Sequence, residues 1–232
     1  MLGRIDDKWT LMVVMPPMSP KRGSNSTGTA KMPQWSYNVV LALWLLSDAF
    51  RAGRVSLEET GPARLLHWIL LVILAFNAWY ALRRPAPAAR AVTWVQATWV
   101  LVAVAWPVLF TLAQGRTGPT PFPALLIQFT ATLLFGASVL TLGDNFAVFP
   151  ERRNIVTGGV YRWVRHPMYA SYLLLDLGFW LANPQPWFAL VWVVEVLLLE
   201  ARTRWEEEVL AGDPKYLEYQ ARVPWRLIPG VL

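Results

Sequence analysis

Two long apolar runs restrict the folds that this chain can adopt. They extend from Val92 to Ala113 and from Phe122 to Leu142, and each supplies the roughly 20 apolar residues that an α-helix needs to cross a bilayer. Four shorter hydrophobic segments accompany them, at 35–50, 65–82, 168–182 and 187–199. The pattern predicts an all-α polytopic membrane protein with about six transmembrane or membrane-embedded helices.

The composition agrees with this interpretation and excludes several other classes of protein. Of the 232 residues 55% are hydrophobic and only 16% are charged, and the mean hydropathy is +0.35. The absence of cysteine excludes disulfides and thiolate metal sites, and His67 and His166 alone are too few for a typical zinc centre. We therefore expect no metal. The formal charge of +6 does not call for a nucleic-acid partner, because basic residues in a membrane protein mark the cytoplasmic loops.

The distribution of basic residues predicts the orientation in the membrane. Only Arg51, Arg54, Arg64 and Arg116 of the 21 basic residues fall in the connections on one side. Because positive loops stay inside, both termini are predicted to be cytoplasmic. The preference for Arg over Lys, with abundant Ala, indicates a GC-rich bacterial source and hence a bacterial inner membrane.

Composition also divides the chain along its length. Residues 1–34 are rich in Pro, Ser and Gly and predict a flexible tail, residues 35–142 hold four hydrophobic helices, and residues 143–232 form the remaining region. In that last region Asn183-Pro184-Gln185-Pro186 separates the fifth and sixth segments, which predicts a tight antiparallel hairpin. Both hairpin segments are expected to continue as polar helix at their cytoplasmic ends.

A first polar cluster stands where the fifth segment begins, in the stretch from Gly158 to Tyr169. Pro167 is suited to the first turn of a helix, so Arg165 and His166 lie beside unpaired helix N-terminal amides, an arrangement that favours an anion. The tyrosines around them offer faces for a cationic sulfonium, at positions Tyr161, Tyr169 and Tyr172. The alternative is a set of interfacial anchors that bind lipid phosphates and pack at the membrane surface.

A second polar cluster, Trp205-Glu206-Glu207-Glu208, follows the sixth segment, and a hairpin returns it to the same side as the first. Glu195, Arg202 and Glu206 fall within about 40° of one line on a helix and form a polar stripe. Asp176 and Glu195 lie in apolar runs, where a carboxylate needs a partner or a wet cavity. A structural ion pair and a functional role both remain open for these two acids.

The ordered combination of these motifs resembles the isoprenylcysteine carboxyl methyltransferase family, which is itself similar to membrane phospholipid methyltransferases. The resemblance covers roughly residues 140–230 and rests on the Arg-His-Pro-x-Tyr string, the hairpin and the Glu-Glu pair. The pair Tyr216 and Tyr219 and the dipeptide Val223-Pro224 add to it. The family pattern often has Gly two residues after the motif tyrosine, whereas this chain has Ser171.

The resemblance implies that S-adenosylmethionine is the cofactor and that the methyl acceptor is lipophilic or a small apolar molecule. It implies cofactor-binding positions at Tyr161, Arg165, His166, Pro167, Tyr169, Glu206 and Glu207. Arg165 and His166 are expected near the cofactor carboxylate, a glutamate on the ribose hydroxyls or amino group, and the tyrosines around the sulfonium. Arg165, His166 and Glu206 are the predicted catalytic residues. His166 or a glutamate is available to deprotonate an amine or thiol acceptor.

Two other functions compete with this interpretation. One is an NADPH-dependent membrane reductase, because sterol reductases look similar in their C-terminal helices. The other is a non-catalytic membrane protein that has kept the fold. A soluble dinucleotide-type methyltransferase is disfavoured, because the chain lacks a glycine-rich turn between a strand and a helix.

Overall fold

The computed structural model describes residues 34–58, 60–87, 89–90, 98, 120–147, 151–182 and 184–230. In this part of the chain the fold is helical apart from one pair of two-residue antiparallel strands. The elements in chain order are α1 Gln34–Glu58, α2 Gly61–Arg83, β1 Ala89–Arg90, α3 Phe122–Leu142, β2 Glu151–Arg152, α4 Pro167–Ala182, α5 Pro186–Leu210 and α6 Pro214–Arg222. The predicted tail and the predicted segment Val92–Ala113 lie outside the described residues, except for Gln34 at the start of α1 and the isolated Thr98.

Helix starts in the C-terminal half coincide with prolines. Prolines occupy the first turns of α3, α5 and α6, where a missing N–H costs nothing. Asp213 caps α6 by accepting a 3.0 Å hydrogen bond from the backbone N–H of Lys215. These local signals fix the direction in which α5 and α6 leave their preceding turns.

The core forms where α1, α2 and α3 pack together. Small side chains such as Ala42 and Ala78 are buried at this contact, together with Leu45 of α1 and with Phe135 and Val139 of α3. Small residues let helices approach closely, as is common in membrane bundles. Gly136 of α3 shows how close the approach is, because a Cβ there would lie 2.9 Å from Ile73 Cδ1.

The outward faces of the helices are apolar. Large hydrophobic side chains are exposed on every long helix, among them Leu43, Trp79, Leu133, Leu190 and Leu197. Such a surface is unfavourable in water and is expected where lipid surrounds the protein. Among the described residues, the helices over Gly61–Arg83 and Phe122–Asn145 are long and apolar enough to cross a membrane.

The helix bounds agree with the sequence in some places and differ in others. The fourth segment is a helix over the predicted residues, and α5 continues to Leu210 as the expected polar extension. The prediction that the fifth segment also continues as polar helix is wrong, because α4 begins at Pro167 and the chain before it is not an α-helix. There the backbone N–H groups of Arg165 and His166 donate to the carbonyls of Trp225 and Arg226, at 2.9 and 2.8 Å, which holds the chain outside any helix.

Candidate active site

A cleft lies at the N-terminal end of α4, where α5, α6 and the loop after α3 surround it. It contains about 690 Å³ of space, including the part that opens to solvent. The residues that line it are Leu142, Asn145, Phe146, Ala147, Arg153, Asn154, Ile155, Val156, Tyr161, Arg165, His166, Met168, Tyr169, Glu206, Leu210, Tyr216 and Tyr219. The lining therefore combines an apolar wall from the loop with the polar side chains of both predicted clusters.

Glu207 belongs to the second polar cluster and connects it to the first cluster beside this cleft. Its Oε1 accepts hydrogen bonds from Arg165 Nε at 2.8 Å and from His166 Nε2 at 3.1 Å. Its Oε2 accepts from Arg165 Nη2 at 3.3 Å and from Arg226 Nε at 3.0 Å. Burial alone would raise the pKa of Glu207, but the hydrogen bonds and charges of His166 and Arg165 outweigh it and lower the pKa to about 2. Glu207 is thus a carboxylate at neutral pH.

Arg165 is committed mainly to holding the protein together. Besides Glu207, its Nη1 donates to the carbonyls of Val223 and Pro224, at 2.7 Å each. A guanidinium has five N–H donors, so these contacts leave one N–H, on Nη2, for a ligand. Arg165 therefore anchors the C-terminal segment to α5 and offers the cleft a single donor.

His166 is oriented by the same carboxylate. Because an ionised Glu207 only accepts hydrogen bonds, His166 Nε2 carries the proton in their 3.1 Å contact. A neutral imidazole then has its lone pair on Nδ1, which makes no hydrogen bond within the described part of the chain. The ring stacks on Tyr169, with centroids 5.5 Å apart and planes 6° from parallel. This pairing of a carboxylate with an imidazole fixes the tautomer in which Nδ1 accepts a proton.

A second contact between the clusters lies directly in the cleft. The hydroxyl of Tyr169 donates to Glu206 Oε2 at 2.7 Å. The guanidinium carbon of Arg202 lies 4.7 Å from the centroid of the Tyr169 ring, within the range of a cation–π interaction. Among the described residues, Glu206 accepts a hydrogen bond through Oε2 only, so Oε1 is left for a group that enters the cleft.

Tyrosines of α6 close the opposite side of the cleft. The Tyr219 hydroxyl donates to the backbone carbonyl of Tyr161 at 2.6 Å, and Tyr216 packs edge-on against Tyr219. Burial raises the pKa of Tyr161 above its ordinary value, and the nearby charge of Glu206 raises it further. These hydroxyl groups therefore stay protonated at neutral pH.

Gly159, the second of the paired glycines in the first cluster, has a local structural reason. Gly159 has a φ of +55°, and a Cβ at this position would lie 2.6 Å from Thr141 Oγ1 on α3. Only glycine combines that backbone conformation with so close an approach. It sets the 3₁₀ turn Gly159–Arg162 against α3 and directs Tyr161 into the cleft.

The two acids in the apolar runs of α4 and α5 pair with each other. The carboxyl groups of Asp176 on α4 and Glu195 on α5 are hydrogen-bonded, and both side chains are buried. Two carboxyl groups can form such a bond only if one of them holds a proton. Neither residue lines the cleft. The sequence left open whether these acids form a structural ion pair with an arginine. In the structure the two acids bind each other instead.

The structure brings the predicted site residues together, with different roles. Tyr161, Arg165, His166, Tyr169 and Glu206 line the cleft, whereas Pro167 and Glu207 do not. Pro167 opens α4, and Glu207 holds the residues that face the cleft. At Ser171, where the family often has Gly, the hydroxyl donates to the carbonyl of Met168 at 2.6 Å and is accommodated within the helix.

Sequence reasoning missed Arg226 and the loop after α3. Arg226 joins Glu207 to Glu200, whose Oε1 accepts from Arg226 Nη1 at 2.9 Å. Its only signal was the Val223-Pro224 dipeptide just before it. Asn145, Phe146 and Arg153 lie in a stretch without hydrophobic periodicity, so nothing in the pattern placed them at the cleft.

Comparisons with known proteins show what the region that forms this cleft is similar to. Residues 123–212 match the phospholipid methyltransferase family model. The match includes α3, α4 and α5 and therefore both polar clusters of the cleft. This region is therefore similar to phospholipid methyltransferases.

Curated relatives show a similarity to a more specific group of methyltransferases. The chain is 32% identical over 152 residues to the protein-S-isoprenylcysteine O-methyltransferase of Mus musculus, a match that covers 60% of this chain and 50% of the relative. It is 30% identical over 151 residues to the Rattus norvegicus protein of the same name, with the same coverage. The Homo sapiens protein is 34% identical over 119 residues, 46% of this chain and 41% of the relative.

The chain is thus similar to members of the isoprenylcysteine carboxyl methyltransferase family, which confirms the resemblance found in its sequence. It spans about half the length of the curated relatives it matches.

Proposed function

We propose that this protein is an integral membrane methyltransferase that transfers a methyl group from S-adenosylmethionine to a lipophilic or small apolar acceptor. The observation that carries the proposal is the cleft in which the Arg165-His166 string meets the Glu206-Glu207 pair, within the region that matches the methyltransferase family. The names of the relatives support a lipophilic acceptor, because they specify an isoprenylated cysteine.

The side chains around the cleft fit the chemical groups of the cofactor. The open Oε1 of Glu206 suits the ribose hydroxyls or the amino group, and the aromatic face of Tyr161 suits a sulfonium. Phe146 and Met168 offer apolar surface for a nucleobase. When bound, the cofactor supplies an electrophilic methyl group, and a transfer of this kind needs alignment and exclusion of water more than it needs a metal.

The pair formed by Glu207 and His166 matters for acceptors that must lose a proton before methyl transfer. Glu207 holds His166 in the tautomer with the lone pair on Nδ1, so this atom can take a proton from an amine or thiol acceptor. A carboxylate acceptor has no proton to lose and needs only to be positioned. Replacement of His166 is therefore expected to affect the two acceptor classes differently.

The proposal includes the membrane topology. We propose about six membrane-embedded helices, with α4 and α5 as a tight hairpin, both termini in the cytoplasm and a location in a bacterial inner membrane. The exposed apolar side chains of α1, α2, α3 and α5 support it, as does the 2.9 Å hydrogen bond from Trp192 Nε1 on α5 to the carbonyl of Leu173 on α4. The cofactor region is proposed to cover 143–232, after four hydrophobic helices over 35–142. A lipophilic acceptor would then enter from the bilayer and the cofactor from water.

The experiment that tests the cofactor is isothermal titration calorimetry of S-adenosylmethionine with the detergent-purified protein. His166→Ala and Glu206→Ala are compared with wild type, and Glu208→Ala serves as the control because Glu208 is an exposed neighbour on α5. We expect saturable binding that the first two substitutions weaken and the third leaves unchanged. NADPH is titrated in parallel.

Two results would overturn the proposal. Saturable binding of NADPH without binding of S-adenosylmethionine would favour a reductase. Binding of neither ligand by a folded wild type would favour a non-catalytic protein that has kept the fold.

A further inference from the structure

The hydroxyl of Tyr216 is buried at the cleft without a hydrogen-bond partner in the described residues. Tyr216 lies on α6, is 2% exposed and lines the cleft. A buried hydroxyl that makes no hydrogen bond lowers stability, and most buried polar groups in folded proteins are paired. Its position at the cleft therefore indicates that the missing partner is a bound molecule.

Tyr219, one turn further along α6, provides the contrast. Its side chain is as well buried, 3% exposed, but its hydroxyl donates to the carbonyl of Tyr161 at 2.6 Å. The two tyrosines thus lie on the same helix, are about equally buried and line the same cleft. They differ in whether a described protein group forms a hydrogen bond with the hydroxyl. Tyr219 braces the cleft wall, whereas Tyr216 has a free hydrogen-bonding group.

The surroundings of Tyr216 determine the kind of group that it can bind. Burial raises the pKa of Tyr216 above its ordinary value, with a further increase from the charge of Glu207, so the hydroxyl keeps its proton and can donate it. Neither neighbouring carboxylate accepts from this hydroxyl in the structure: both oxygens of Glu207 are occupied by other donors, and Glu206 accepts from Tyr169. Arg165 lies close enough to lower the pKa of Tyr216, and it has one N–H left on Nη2.

We propose that the Tyr216 hydroxyl and this last N–H of Arg165 together bind the carboxylate in the amino-acid portion of S-adenosylmethionine. A neutral donor beside a guanidinium is a suitable receptor for a carboxylate, and the arginine compensates for the nearby negative charges. This inference rests on the proposed function and adds to it a residue and the ligand group that it contacts.

The test uses two nucleoside thioethers that differ in the amino-acid portion. S-adenosylhomocysteine carries the carboxylate, and 5′-methylthioadenosine lacks it. Calorimetry measures both with wild type, Tyr216→Phe and Tyr219→Phe. For Tyr216→Phe we expect the Kd of S-adenosylhomocysteine to rise by about tenfold or more, as for a lost hydrogen bond to a charged group, with no change for 5′-methylthioadenosine.

A thermal melt without ligand separates binding from structural support. Tyr216→Phe is expected to keep or raise Tm, because it removes an unpaired hydroxyl, whereas Tyr219→Phe is expected to lower Tm. If Tyr219→Phe also weakens binding, we expect it to weaken both thioethers alike.

The outcomes distinguish this inference from the proposed function. No binding of S-adenosylmethionine or S-adenosylhomocysteine by wild type overturns both. Binding by wild type that Tyr216→Phe leaves unchanged overturns the inference alone, as does an equal loss of both thioethers in Tyr216→Phe.

Discussion

The Tyr169 hydroxyl donates a 2.7 Å hydrogen bond to Glu206 Oε2 and joins the first turn of α4 to the C-terminal part of α5. The bond holds one oxygen of Glu206 and so turns the other toward the cleft. Residues in one hydrogen-bonded unit are expected to show non-additive effects when they are replaced.

A double-mutant cycle tests this coupling. Tyr169→Phe and Glu206→Gln are each expected to weaken S-adenosylmethionine binding, and the double variant should bind no worse than the weaker single variant, with a coupling of about 0.5–3 kcal/mol. Calorimetry gives the affinities. Tyr169→Phe combined with Glu208→Gln is the control pair and should be additive. Additivity in the first cycle would mean that the hydrogen bond does not position Glu206.

Glu207 is expected to be the most sensitive position for stability. Replacing it by Gln leaves the charges of Arg165 and Arg226 without their carboxylate, and breaking a buried ion pair in this way costs about 3–5 kcal/mol. Glu208→Gln, at the next and exposed position, should change stability little. Thermal melts in detergent compare the two, and equal melting temperatures would contradict the central place of Glu207 in the network.

The same carboxylate predicts a dependence of stability on pH. Its pKa is lowered from the ordinary value of 4.5 to about 2 in the folded protein. A lowered pKa means that the contribution of Glu207 is complete above pH 4.5 and is lost as the pH falls toward 2. Tm measured from pH 7 downward should therefore fall more steeply below pH 4.5 in wild type than in Glu207→Gln. Parallel curves for the two proteins would refute the assignment.

The pair of buried acids predicts which substitutions the hairpin region tolerates. Glu195→Gln supplies an amide N–H in place of the shared proton, so it should cost little stability. Glu195→Leu leaves Asp176 buried without its partner and should cost about 1–3 kcal/mol. Chemical unfolding measures both variants. A larger loss for Gln than for Leu would show that the two carboxyl groups do not share a proton.

Much of the fold was predictable because helices have a strong sequence signal. The fourth hydrophobic segment became α3 over the predicted residues, since a proline opens it and a glycine ends it. The meeting of Tyr169 with Glu206 was also predictable, because they lie toward the far ends of two helices that a short connection joins.

The remaining contacts depend on a chain path that has no periodicity. Arg226 reaches Glu207 because the segment after α6 returns to Arg165 and His166 through backbone hydrogen bonds. No residue pattern encodes that return. The sequence showed that Asp176 needs a partner, but several basic and acidic residues were possible partners. Only the geometry of the structure identifies Glu195 as that partner.

The most direct measurement of the central claim is transfer of labelled methyl groups. Membranes containing wild type or Glu206→Gln are incubated with methyl-labelled S-adenosylmethionine, and the label extracted into organic solvent is counted. We expect wild type to transfer label into this lipophilic fraction, and Glu206→Gln to transfer much less at equal protein level. Equal label in wild-type, variant and empty membranes, when the wild type binds S-adenosylmethionine, would contradict a methyltransferase acting on a lipophilic acceptor.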